Sequence, residues 1–433
     1  MTTGRDMVLE AVRRSLFAVI GDHAHVHVAL SGGMDSVVLL HALARLRNDR
    51  AFRLSAIHVH HGLSPNADQW AAFCQSVCAS LDVPCHIALV KLGHPGGKGV
   101  ERVAREARYA AFEGLSGEVL CLAHHQNDRA ETLLLNLFRG AGVRGLAGAP
   151  ERRWLGGQLL LRPLIDIPRV ELLAWAKVQR LDWIEDESNT DLRFRRNEIR
   201  HRVLPAIAKS FPGVAQVLAR TAKQMYEQSE LLDRLAQIDA SGCRDSAGRL
   251  SVARLQSLPE PVVRNIVRWA LVSAGWQISA ASRLETLASQ LMSARAGSEI
   301  FVRMGPIGVH VWRDRLWVDS AMQRSCPRAQ SLKPGVMQWP DGQLEVLAPR
   351  DGFSVASVGQ GQRFQPQGRC RDTVTELLRA RGVPPWVRPR LPALWHKGVL
   401  VWVAELGWAQ TTEVALVEPE PTVTWVMTPE VCL

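Results

Sequence analysis

The chain predicts an α/β protein: a doubly wound parallel sheet in the N-terminal half, a mainly helical middle domain, and a small α+β domain at the end. Three observations carry this. Short β-branched runs alternate with helical patterns from His25 to Phe138, the mark of parallel strands joined by crossover helices. The first run, Val26–Leu30, ends in Ser31-Gly32-Gly33 and passes at once into a helix. After Pro212 helical periodicity takes over and dominates to residue 292.

Taken in order, residues 7–20 form an amphipathic helix through the spacing of Val8, Leu9, Val12, Leu16 and Val19. The opening strand follows, then a helix carrying Val38, Leu39, Ala42, Leu43 and Leu46. Leu54–His60 reads as a second strand running into His61-Gly62-Leu63-Ser64, residues 67–81 as a helix, and Cys85–Val90 as a third strand. Residues 93–99 are a glycine-rich connection. Val100–Tyr109 forms a charged helix, with Glu101–Arg105 as an i,i+4 pair. Val119–Ala123 is a further buried strand, and it leads through His124–Thr132 into a helix from Leu133 to Phe138. Ligands of such sheets bind beyond the C-terminal strand ends, where Ser31-Gly32-Gly33 and His60-His61-Gly62 both fall.

The stretch Ser31-Gly32-Gly33-Met34-Asp35-Ser36 is built for a phosphate. A turn between a strand and a helix aims backbone N–H groups outward at the positive end of the helix dipole. Two glycines remove the Cβ atoms that would hold an anion away. Ser31 and Ser36 add hydroxyl donors, and Asp35 adds a carboxylate able to hold Mg²⁺ against the phosphates. Met34 receives no role. The usual competitors fail. Gly96-Gly97-Lys98-Gly99 lacks the first glycine and final hydroxyl of a G-x-x-x-x-G-K-[ST] loop. Gly140–Gly145 spells G-x-G-x-x-G but follows a helical pattern rather than a strand.

Length and composition agree. With 433 residues, two or three domains are expected, and a hydrophobic fraction of 47% supplies their cores. No apolar run approaches the roughly 18–20 residues needed to span a bilayer, and Met1–Arg14 mixes charges without an apolar signal region. A soluble, cytoplasmic protein without a membrane partner is expected; the oligomeric state is not indicated. The eight cysteines form no C-x-x-C pair, which argues against zinc, iron–sulfur or disulfide frameworks. Cys74 and Cys78, four apart in a helical pattern, read as core. Of the histidines at 58, 60 and 61, His58 and His60 share one face of an alternating strand without a third ligand nearby in sequence, so packing or contact with a nucleoside is favoured over metal. The net charge of +10 and pI near 9.6 suggest a polyanionic partner, with nucleic acid first.

Two further constellations narrow the chemistry. Asp128 and Glu131 stand three apart at a helix start, on one face. There they can serve Mg²⁺ and accept a proton, or merely offset the helix dipole. Arg193, Arg195, Arg196, Arg200 and Arg202 crowd into ten residues, more economically a phosphate-facing patch than a solubilised helix. Beyond Pro212, residues 213–240, Val263–Leu271 and Ala281–Leu291 read as helices, and residues 299–318 as a β-meander. Residues 324–335 suggest a linker. Residues 361–397 carry eight basic residues, Arg363, Arg388 and Arg390 among them, against Asp372 and Glu376. With Trp386, Trp395 and His396 interleaved, this segment suits RNA, though at least half of these tryptophans are expected in the core. The divisions expected are 1–212, 213–330 and 336–433.

These motifs also carry a resemblance. Ser31–Ser36 is similar to the SGGxDS signature of PP-loop ATP pyrophosphatases, whose fold is adenine-nucleotide α-hydrolase-like. Ala123–Thr132 resembles the H-H-x-D-D-Q-x-E-T motif of tRNA(Ile)-lysidine synthetases, with Asn127 and Arg129 in place of Asp and Gln. Phe138–Leu146 resembles their R-G-x-G-x-x-G-L loop, and His58–Ser64 their H-V-x-H-G-L-S stretch. Trp183–Asp191 with Arg196–Pro205 is similar to their W-I-E-D-x-S-N-x-D…R-N-x-I-R-x-x-V-L-P pattern. Gly361–Pro366 and Val383–Arg388 resemble the C-terminal domain of the long forms.

The resemblance implies an ATP- and Mg²⁺-dependent ligase. ATP would lie on Ser31, Gly32, Gly33, Met34, Asp35 and Ser36, with Asp35 at Mg²⁺ and Arg196 reaching the phosphates. Asp35, Asp128, Glu131 and Arg196 would form the catalytic set. The acceptor would be C2 of the wobble cytidine of a CAU-anticodon tRNA(Ile), adenylated first and then joined to free L-lysine. Arg193, Arg195, Arg200, Arg363, Arg388 and Arg390 would face the tRNA. The alternatives are another PP-loop tRNA-modifying enzyme, such as a thiolase, or a non-catalytic tRNA-binding protein with a degenerate ATP site.

Overall fold

The computed structural model describes residues 4–433 apart from 63, 91–99, 188–190, 247, 277–280, 296, 321–324, 360, 411–420 and 428–430. The glycine-rich segment 93–99 and Ser188-Asn189-Thr190 of the family-like pattern therefore lie outside the described residues. The chain divides into two compact units, Met1–Leu231 and Leu232–Leu433. No helix among the described residues is long and apolar enough to cross a membrane.

The first unit alternates helix and strand as expected. It runs α1 (Gly4–Phe17), β1 (His25–Ala29), α2 (Met34–Leu46), β2 (Arg53–His60), α3 (Ala67–Ser80), β3 (Cys85–Leu89), α4 (Val100–Glu113) and β4 (Val119–Cys121). Then come α5 (Gln126–Leu137), α6 (Val143–Leu146), β5 (Arg152–Leu155), β6 (Gln158–Leu161), α7 (Arg169–Val178) and α8 (Arg195–Glu198). A π-helical turn (Ile199–Val203), α9 (Leu204–Ser210) and the long α10 (Val214–Cys243) follow. The sheet order is β3-β2-β1-β4-β6-β5, parallel except for the edge hairpin β5–β6, which periodicity had not shown.

Both faces of this sheet are buried, so it is doubly wound. Val26, Val28, Leu54, Ala56, Val119 and Cys121 face one core together with Leu16, Leu39, Leu43 and Leu172. Ile57, Leu120, Leu122 and Leu160 face the other with Phe112. Cys74 and Cys78 are fully buried in the first core. Strand order reverses between β1 and β4, whose C-terminal ends carry the Ser31–Ser36 loop and His124–Asp128. A doubly wound sheet opens its ligand crevice at such a switch point.

The second unit has two cores. The C-terminal end of α10, with α11 (Val252–Leu255), α12 (Glu260–Ser273) and α13 (Ala281–Ser293), packs on a meander of β7 (Ile300–Met304), β8 (Ile307–Trp312) and β9 (Arg315–Asp319). The rest is β-rich: β10 (Gln330–Ser331), β11 (Gly335–Trp339), β12 (Gly342–Ala348), β13 (Phe353–Ser357), β14 (Arg363–Phe364) and β15 (Asp372–Thr373) precede α14 (Val374–Ala380). After α14 come β16 (Pro392–His396), β17 (Val399–Val403), β18 (Gly407–Trp408), β19 (Thr422–Met427) and β20 (Val431–Cys432). β20 leaves this region and pairs antiparallel with β9, and Leu433 is buried in the middle core. Residues 431–433, grouped by sequence with the last domain, thus complete the sheet of the middle one.

Candidate active site

The loop after β1 is shaped by its own hydroxyls. Ser36 Oγ donates to Gly33 O (2.8 Å) and lies 3.1 Å from Ser31 Oγ, and the Ser31 and Gly33 N–H groups point at these same hydroxyls at 3.2 and 3.3 Å. Gly32 adopts φ +88°, and a Cβ there would lie 2.7 Å from Ile184 Cδ1. The Ile184 N–H donates to Gly32 O at 2.9 Å, so the Trp183-Ile184 segment forms the back of the loop. Beneath it, His58 Nδ1 lies 2.9 Å from Leu30 O and 3.4 Å from Cys74 Sγ. His60 turns to Asp68 at 2.9 Å, so these histidines have separate partners.

The second constellation starts at a reciprocal cap. The Asp128 N–H donates to His125 Nδ1 (3.3 Å), and the His125 N–H donates to Asp128 Oδ2 (3.0 Å). Asp128 therefore does both things its position allows: one oxygen caps α5 and the other faces the site. His125 Nε2 lies 3.5 Å from Asp128 Oδ2 and 3.6 Å from Asp35 Oδ2, bridging the two constellations. Burial alone would lower the His125 pKa, but Asp128, Asp35 and Glu131 around it hold it above the ordinary value. Its neighbour His124 is driven the other way, to about 3, by burial and by Arg162, Arg196 and Arg105, against the pull of Asp128.

Arg196 and Arg200 grip the carboxylate pair. Arg196 Nε donates to Glu131 Oε2 (2.8 Å) and its Nη2 to Asp128 Oδ1 (2.9 Å). Arg200 Nε donates to Glu131 Oε1 (2.6 Å), and its Nη2 reaches Glu131 Oε2 (3.0 Å) and Asp128 Oδ1 (3.1 Å). Glu131 is only 1% exposed. Asp128 is pushed up by burial but pulled further down by His125 and Arg196, so its carboxyl stays well below the usual range. Both guanidinium groups, disfavoured by burial, are held above their ordinary pKa by the carboxylates.

The sequence-predicted residues thus separate. Ser31, Gly32, Gly33, Asp35, Ser36, Asp128, Glu131 and Arg196 come together, while Met34 is buried in the core behind the loop. Arg200, expected at the tRNA, instead binds Asp128 and Glu131, because it lies one turn beyond Arg196 on the same helical face. Arg193 is 89% exposed and clasps Asp191 at 2.7 Å, and Arg195 is exposed. In the second unit Arg363 is exposed, and Arg388 Nε donates to Val383 O at 2.8 Å. Arg390, expected to face phosphate, is committed to Asp319 (3.0 Å) and Asp341 (2.8 Å), both almost fully buried. Trp386 and Trp395 are partly buried against the C-terminal core, and Trp386 stacks on His310 with ring centroids 3.9 Å apart.

Residues that sequence reasoning passed over complete the site. His125 was readable as the residue before a helix start. Asn127 Oδ1 accepts from the Arg169 N–H at 3.1 Å, which fixes the start of α7 and sets Arg169 Nε 3.9 Å from Asp35 Oδ1. Arg129, the other departure from the family-like motif, is buried against Asp166. Beside Glu131 opens a cleft of about 440 Å³, with Asn127, Arg169 and Arg200 on its polar side and Leu204, Pro205 and Val214 on its apolar side.

Residues 8–207 match the PP-loop domain family, residues 250–317 the TilS substrate binding domain, and residues 353–425 the TilS substrate C-terminal domain. The chain is 37% identical over 424 residues to the tRNA(Ile)-lysidine synthase of Azoarcus sp. (strain BH72), covering 94% of this chain and 93% of that protein. It is 38% identical over 413 residues to that of Aromatoleum aromaticum, with 90% and 94% covered. To that of Chromobacterium violaceum it is 39% identical over 392 residues, with 85% and 88% covered.

Proposed function

The chain belongs to the tRNA(Ile)-lysidine synthase family, and from that premise we propose how its own residues divide the work. The activity is that of an ATP-dependent ligase acting on tRNA. The observation that supports the residue roles is the joining of the phosphate loop to the carboxylate pair through His125, at 3.6 and 3.5 Å, at the switch point of the sheet.

In this reading the ATP phosphates lie on Ser31–Ser36, and the oxygen on C2 of the wobble cytidine attacks the α-phosphate. Pyrophosphate leaves, and Arg196 meets the charge that develops. Asp35 suits Mg²⁺, because its Oδ1 is buried without a hydrogen bond and Mg²⁺ is commonly held by one or two carboxylates plus substrate phosphates. When bound, the ion would neutralise phosphate charge. Asp35 would hold it, with His125 Nε2 3.6 Å from Asp35 Oδ2 keeping that carboxylate in place.

Free L-lysine fits the cleft beside Glu131, whose volume lies within the roughly 300–1,000 Å³ of small-molecule sites. The aliphatic stem would run along Leu204 and Pro205, and the α-carboxylate would meet Arg169. At the floor, Arg200 disfavours an ammonium, and Glu131 takes its proton. The neutral amine then attacks C2, the C–N bond forms, and AMP leaves with the C–O electrons. Arg193, Arg195, Arg363 and Arg388 are the candidates for tRNA phosphates, and the CAU anticodon of tRNA(Ile) is the proposed target. A thiolase reading has little to use beside the loop, since burial pushes the Cys74 thiol up to about 12.

The test is pyrophosphate release from ATP, with tRNA and lysine omitted in turn. Release is expected to need tRNA, and sustained turnover to need lysine as well. Asp35→Ala is expected to abolish AMP formation while leaving tRNA binding nearly intact. Release that ignores tRNA would overturn the reading.

A further inference from the structure

The G-x-G-x-x-G segment Gly140–Gly145 fails as a dinucleotide loop and has no part in the chemistry above, yet it is firmly built. Asn136 Nδ2 donates to Gly145 O (2.7 Å), and the Ala141 N–H donates to Asn136 O (3.0 Å). Gly140 turns the chain at φ +70°, and a Cβ at Gly145 would lie 2.6 Å from Ala141 Cβ. This scaffold holds the end of α5 with its apolar residues outward: Leu137 is 49% exposed and Phe138 65%. Arg139 beside them is exposed.

Two features say what covers this patch. Arg139 is exposed, and the nineteen residues from Thr132 to Pro150 contain no carboxylate, a local field that suits a polyanion. The patch also lies on the helix that starts at the active site. Phe138 is ten residues beyond Asp128, about 15 Å along α5 at 1.5 Å per residue. A tRNA whose wobble base reaches the carboxylates would have its flanking nucleotides within reach of this end of the helix.

We propose that Phe138 and Arg139 form a stacking platform for an unpaired anticodon-loop base next to the one modified. Phe138 presents a ring face to the base, and Arg139 meets the adjoining phosphate. The proposal rests on the tRNA reading above.

The test uses the full chain with Phe138→Ala, Phe138→Leu and Phe138→Trp, and a tRNA(Ile) transcript carrying 2-aminopurine beside the wobble position. Phe138→Ala is expected to raise KM for tRNA about tenfold to a hundredfold, leaving kcat at saturating tRNA and ATP affinity unchanged. The 2-aminopurine fluorescence is quenched on the native protein and on Phe138→Trp, but not on the Ala or Leu variants. Wild-type KM in Phe138→Ala, or quenching that survives in Phe138→Leu, overturns the platform. So does a change of oligomeric state with tRNA binding intact, which assigns the patch to a second copy of the chain. Loss of tRNA dependence in the native protein would instead overturn the functional reading itself.

Discussion

His124 and His125 are chain neighbours with opposite electrostatics. An unfolded histidine titrates near 6.5. His125 has a raised folded pKa, so its contribution to stability is complete below that value and is lost as pH rises through the folded one. His124 stays neutral to about 3, so between roughly 6.5 and 3 the unfolded chain takes up a proton that the folded chain refuses, and stability falls with pH. His124→Gln is therefore expected to lose less stability than the native protein between pH 7 and pH 4, as urea unfolding at the two pH values would show. A larger loss would contradict the assignment. Gly32 makes the companion point. Sequence explains it by phosphate access, but its +88° φ and its packing against Ile184 are separate demands. Gly32→Ala is expected to cost about 1–2 kcal/mol and to lose ATP binding, seen by thermal melting and nucleotide titration.

At the scale of elements, α5 and α7 show what the pattern could and could not convey. The order of strands and helices in the first unit, the β5–β6 hairpin excepted, follows from periodicity, and the site lies at two strand ends where a parallel sheet must bind. The partition of the arginines does not follow so simply. Five arginines in ten residues look alike as a patch, yet two turn inward to Asp128 and Glu131. Their four-residue spacing was the available sign, and only a folded chain shows which face meets a carboxylate. The Asn127 substitution was equally opaque, because its partner is the backbone N–H of Arg169, 42 residues away. Asn127→Ala is expected to lower stability by about 1 kcal/mol. Asn127→Asp, the family-like residue, keeps the acceptor at the positive end of α7 and is expected to match the native protein in denaturant melts. Equal stability of the Ala variant would remove this bond from the account.

Across the whole molecule, charge turns out to be sorted by burial. The basic C-terminal stretch reads as one RNA-facing segment, yet it contains both kinds of arginine. Arg390 neutralises Asp319 and Asp341, and Arg363 is exposed. Arg390→Ala leaves two buried carboxylates without this partner and is expected to cost about 3–5 kcal/mol. Arg363→Ala is expected to leave the melting transition unchanged while lowering the salt dependence of tRNA binding by about one unit of slope. Thermal melts and binding measured over a salt series separate the two, and an Arg390→Ala protein as stable as the native one would contradict the structural role of Arg390.

The pairing of β20 with β9 also governs when the second unit can fold. Val318 and Val431 are partners although a whole β-rich region lies between them in the chain. The Leu250 N–H donates to Leu433 O, and the Leu433 N–H to Leu316 O. During synthesis the middle meander must wait for residues 431–433 to emerge before this edge is closed, whereas every sheet pairing of the first unit among the described residues lies within residues 25–161. The first unit is thus expected to become protease-resistant during synthesis before the second, as limited proteolysis of stalled ribosome-bound chains would show.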